Sequence, residues 1–77
     1  MNKKRNPLPK FVLCINNEDW DDLELRKVYQ VLPDKVAAKD GNLRVIDESG
    51  EDYLYPLDCF IAVELPQMAE KAFLQAA

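Results

Sequence analysis

The segment from Leu43 to Ile61 constrains the fold more than any other part of the chain. It reads Leu43-Arg44-Val45-Ile46, Asp47-Glu48-Ser49-Gly50, Asp52-Tyr53-Leu54-Tyr55 and then Pro56-Leu57-Asp58-Cys59-Phe60-Ile61. Two β-branched and aromatic runs flank an Asp-x-x-Gly turn, and a proline starts a short turn into a third run. That order describes the closing hairpin of a small barrel. With Asp47 and Gly50 as the ends of a type I turn and Gly50 left-handed in a bulge, Val45 pairs with Tyr53 and Leu43 with Tyr55. Four apolar side chains then share one face. A two-residue turn at Ser49-Gly50 would instead oppose Glu48 to Glu51 and Asp47 to Asp52, two like-charge pairs that disfavour it.

A chain of 77 residues makes one domain, and a domain of that size buries only about 60% of its unfolded surface. A deep cleft has no room to form. The 48% hydrophobic and 31% charged composition is that of a soluble globule, which excludes a disordered or membrane-embedded class. The net charge of -4 is unevenly spread. Lys3, Lys4, Arg5 and Lys10 face no acid within residues 1–10, so residues 11–77 hold six basic against fourteen acidic residues, or -8. Such a body repels phosphate backbones and favours cationic partners.

The flanking pattern divides the chain into a basic tail over residues 1–9, a barrel over 10–65 and a C-terminal helix over 66–77. Pro7 and Pro9 favour an extended leader. The first strand is expected over Lys10–Ile15, and Asn16-Asn17-Glu18-Asp19-Trp20-Asp21-Asp22 ends it in a loop. Arg26 to Leu32 reads as the second strand, with Tyr29 and Val31 on one face. Val36-Ala37-Ala38-Lys39 is expected to form one turn or an irregular excursion before a third strand at Leu43. A last strand follows over Phe60–Glu64. Pro66 then opens a helix whose Ala69, Ala72, Phe73 and Ala76 form one stripe. At about twelve residues it must dock on the barrel or on another chain, giving a monomer or a weak homodimer.

The apolar run Phe11–Ile15 after the basic start is too short for a signal peptide, and no stretch approaches the length of a membrane span. The expectation is a cytoplasmic protein. Cys14 and Cys59 have no second sulfur beside them and the chain has no His, which removes the spacing of a zinc site or a disulfide framework. Both read as buried strand residues. Without His, with unactivated thiols and with Ser49 as the sole hydroxyl of the Ser/Thr type, the chain is expected to be neither an enzyme nor a cofactor or metal carrier.

The order of elements, with Gly50, Pro56 and Phe60 at their spacing, resembles the SH3-like barrel over residues 10–65. Residues 25–65 are also similar to small bacterial proteins of uncharacterised role that carry an Asp-Glu-Ser-Gly-Glu-Asp-Tyr segment and end in a short helix. The resemblance implies an all-β, five-stranded barrel with a short C-terminal helix. Proline-rich recognition in that family uses aromatics on the first strand, at the start of the third strand and three residues after the proline. Here those positions hold Val12 to Ile15, Gly41-Asn42 and Cys59, so that mode is lost.

Function is therefore expected on the surface, in a protein-binding role. Trp20 lies among Glu18, Asp19, Asp21 and Asp22, and two readings compete. The indole folds back over the rim with the acids solvated, or it anchors a partner with a basic surface while the acids attract Lys and Arg. The acids lack the alternation and central glycine of a calcium loop. Tyr55 is expected as a rim neighbour. Tyr29, Tyr53 and Tyr55 suggest a base-stacking platform, but the -8 body opposes nucleic acid. An RNA- or ribosome-associated barrel acting through Lys3, Lys4 and Arg5 is the alternative.

Overall fold

The structure, a computed structural model, describes residues 8–75. Five strands follow in order: β1 (Phe11–Cys14), β2 (Val28–Leu32), β3 (Asn42–Ile46), β4 (Asp52–Pro56) and β5 (Phe60–Val63). Helix α1 (Lys35–Lys39) separates β2 from β3, a 3₁₀ turn (Leu57–Cys59) joins β4 to β5, and α2 (Gln67–Gln75) follows β5. All pairings are antiparallel, in the order β4-β3-β2-β1-β5. β2 is shared between two halves. Tyr29 lies opposite Val12 of β1, whereas Val31 and Leu32 lie opposite Val45 and Arg44 of β3.

Alternation explains the packing. Val12 and Cys14, Tyr29 and Val31, and Leu43 and Val45 point one way from their strands into a core completed by Leu23, Tyr55, Cys59 and Phe60. Both cysteines are free and buried there. No pairing joins β4 to β5 among the described residues, so the sheet is not closed into a barrel. The seam is narrowed by side chains instead: the Tyr55 and Phe60 rings meet edge to face at 6.1 Å. Past the end of the β1–β5 ladder, Ile15 N–H donates to the Cys59 carbonyl at 2.8 Å.

The hairpin has the expected register, with Val45 opposite Tyr53 and Leu43 opposite Tyr55. Gly50 N–H closes the turn on the Asp47 carbonyl at 3.0 Å, and Gly50 sits at φ 86°, where a Cβ is penalised. Two details differ from the expectation, the start of β2 and the place of Leu8. β2 begins at Val28 rather than Arg26, because Arg26 is left-handed at φ 63°. Arg26 N–H donates to the Cys14 carbonyl at 2.8 Å while Cys14 N–H donates to Lys27 at 2.9 Å. Two residues thus oppose one, a bulge of the type whose first residue is commonly glycine.

The 35–39 segment is a helix because Asp34 caps it, its Oδ1 accepting from Ala37 N–H at 3.0 Å. Arg44 holds that cap through Nε to Oδ2 at 2.9 Å and reaches Asp52 at 3.0 Å. Leu8, expected in the tail, packs against the core; the basic residues 1–7 lie outside the described range, as does Ala76. α2 docks through Phe73, whose ring meets Phe11 edge-on at 5.1 Å, and through Lys10 and Glu70 at 3.6 Å. No described helix is long and apolar enough to cross a membrane.

Candidate functional site

The loop between β1 and β2, residues 15–27, is folded by its own side chains. Asn16 Oδ1 accepts from Glu18 N–H at 3.0 Å, and Asn17 Nδ2 donates to the Leu23 carbonyl at 2.9 Å. These are the turn-forming bonds that Asn favours. Leu23, 2% exposed, drives the far side of the loop into the core.

The loop is then tied to the hairpin turn. Glu48 N–H donates to the Asp22 carbonyl at 3.0 Å, and the Tyr29 hydroxyl accepts from Glu24 N–H at 2.7 Å. That hydroxyl donates to Glu48 Oε2 at 2.5 Å, the same oxygen that receives Lys27 Nζ. Lys27 and then Tyr29 hold the Glu48 carboxyl below its ordinary range. Burial, followed by the hydrogen bond to Glu48, pushes the Tyr29 phenol upward.

Asp47 is the buried acid of the turn, 5% exposed. Burial alone would raise its carboxyl, but the Ser49 and Tyr55 donors prevail and lower it. Ser49 Oγ and N–H reach Oδ1 at 2.6 and 2.9 Å, and the Tyr55 hydroxyl reaches Oδ2 at 2.6 Å. Burial and that acceptor raise the Tyr55 phenol.

On this base stands Trp20. Its indole lies edge-on to Tyr55, with centroids 5.3 Å apart at 84°, and remains 36% exposed. The indole packs on the rim, as the first of the two sequence readings expects, and still presents surface. A shallow cleft of about 290 Å³ opens beside it, lined by Trp20, Asp22, Asp47, Tyr53, Leu54 and Tyr55. Tyr53 is 49% exposed, and its hydroxyl donates to Glu51 Oε1 at 2.9 Å.

Of the residues singled out from sequence, Trp20, Asp22 and Tyr55 come together at this cleft. Glu18, Asp19 and Asp21 are exposed on the same loop and do not line it. Sequence reasoning weighed Tyr53 only as part of a base-stacking platform, and it missed Leu54 and Asp47. The Tyr53–Tyr55 pair was available from the hairpin register, since residues two apart share a face; Asp47 gave no such signal, because an aspartate opening a turn reads as a turn former.

A larger groove of about 610 Å³ runs between residues 8–11 and residues 62–65, beside Glu70 of α2. Its Lys10 and Glu70 are already paired with each other, and it displays no aromatic surface comparable to Trp20 and Tyr53. Among the described residues no group of three or more Cys, Asp or Glu is placed to hold a metal ion. Burial raises both the Cys14 and Cys59 thiols, the opposite of what a nucleophile needs. No protein-family model, curated protein or solved structure matches the chain.

Proposed function

We propose that the protein is a non-catalytic interaction module on an SH3-like framework, whose acidic loop and rim contact a partner protein with a basic surface. The strand order, the sharing of β2 between two half-sheets and the 3₁₀ turn that carries the chain across the open seam support the framework. The observation that carries the function is Trp20. A large indole stays one-third exposed although its loop is fixed by hydrogen bonds on both sides. A rigid aromatic anchor loses little entropy on binding and supplies hot-spot area. The surrounding acids add long-range attraction for cationic surfaces.

Affinity capture from native extract tests this reading. Wild type retains a partner that Trp20→Ala loses. Recovery of the same proteins by both baits contradicts it. So does RNA retained on a filter at low salt, released steeply by salt and abolished by removing residues 1–10, which is the behaviour of a phosphate-binding tail.

A further inference from the structure

We infer that the cleft beside Trp20 receives the guanidinium group of an arginine in the partner's basic segment, stacked on Trp20 and Tyr53 and paired with the Asp22 carboxylate. This inference rests on the reading of the rim as the interaction surface and names the chemistry it selects.

The acids around the cleft are not equivalent. Asp47 is occupied by Tyr55 and by both Ser49 donors. Glu48 is occupied by Tyr29 and Lys27, and Glu51 by the Tyr53 hydroxyl. The Asp22 carboxylate makes neither a side-chain hydrogen bond nor an ion pair among the described residues. Its main chain is nevertheless fixed, because Glu48 N–H holds the Asp22 carbonyl at 3.0 Å. The cleft thus sets one uncommitted carboxylate, anchored through its backbone, next to two exposed aromatic side chains.

A cation satisfies both features together, since aromatic faces and carboxylates each attract positive charge. Arginine fits better than lysine. Its planar, weakly hydrated guanidinium lies flat on an indole or phenol ring while its edge bonds a carboxylate, whereas an ammonium keeps its water in an open cleft.

Trp20 is the sole tryptophan of the chain, so its fluorescence reports on the cleft directly. The full-length protein is titrated with the capped peptide Gly-Arg-Gly-Gly-Arg-Gly and with its lysine counterpart. The arginine peptide is expected to shift the emission saturably and to bind at least about twofold tighter than the lysine peptide. Asp22→Asn is expected to weaken it by up to about fivefold, the scale of a solvent-accessible charge pair, while the stacking remains.

The same variant is expected to keep its urea midpoint, since the Asp22 side chain bonds no other described residue. Absence of a saturable shift at millimolar peptide, equal binding by Asp22→Asn, or no preference for arginine overturns the inference. An emission change with protein concentration alone also overturns it, by placing a second copy in the cleft. Capture separates the two levels: a partner lost by Trp20→Ala but kept by Asp22→Asn ends the arginine assignment and leaves the rim intact. A partner kept by both ends the reading of the rim itself.

Discussion

The Tyr55 hydroxyl donates to the buried Asp47 carboxylate at 2.6 Å, joining the last core-facing position of β4 to the turn that opens the hairpin. The Tyr55 ring is also the floor on which Trp20 rests. Tyr55→Phe keeps the ring and removes one donor from a buried charge. We expect a loss of about 1–3 kcal/mol in urea unfolding, the cost of a buried acceptor left short of a partner.

Acid should unfold the protein through the hairpin turn. The Asp47 and Glu48 carboxyls are held below their ordinary values in the folded state, so the unfolded chain binds more protons as pH falls. Their stabilisation is complete above the unfolded values near about 4 and is lost as pH descends through the folded ones. Urea midpoints between neutral pH and about pH 2 should fall on that limb, and Glu48→Gln should flatten it. At the alkaline end Tyr29 and Tyr55 are raised. Their stabilisation is present below about pH 10 and is lost as pH rises through the folded values, which tyrosinate absorbance would follow.

Arg26 is the one described residue other than glycine with a positive φ. A left-handed residue with a Cβ costs about 1–2 kcal/mol, part of which glycine returns to the unfolded chain as entropy. Arg26→Gly should therefore raise stability by up to about 1 kcal/mol while keeping the bulge opposite Cys14. A decrease on thermal or urea unfolding would show that the Arg26 side chain stabilises more than its backbone strain costs.

Cys14 and Cys59 are 0% and 2% exposed, and burial raises both thiols. A thiol reagent such as dithionitrobenzoate at pH 8 should react with neither in the native protein and with both in urea. Fast reaction without denaturant would place at least one sulfur in contact with solvent.

Local chemistry carried the legible part of the fold. Asp47 and Gly50 fixed the hairpin register, Pro56 marked the 3₁₀ turn, and Tyr29 with Val31 marked the inward face of β2. The bulge at Arg26 escaped because its usual sign, a glycine, is absent. Helix α1 was legible as one turn over Val36–Lys39, but its cap was not, because Asp34 read only as the end of β2 and its role depends on Ala37 N–H three residues later.

The site was legible as a cluster of residue types but not as a geometry. Trp20 lies 35 positions from Tyr55, and nothing local to either forecasts their edge-on contact. The Glu48 N–H to Asp22 bond that fixes the loop is equally non-local, as is the sharing of Glu48 by Tyr29 and Lys27. Exposed apolar residues such as Ile61 on β5 also need the three-dimensional sheet to reveal which face carries them.

Whether the protein works through the rim at Trp20 is decided by capture with three baits: wild type, Trp20→Ala and Ile61→Lys. Ile61 is 52% exposed on the face of β5 turned away from the core, so its substitution places a charge where the rim does not reach. A rim-dependent partner is retained by wild type and Ile61→Lys and lost by Trp20→Ala. Loss with Ile61→Lys and retention with Trp20→Ala would contradict that dependence.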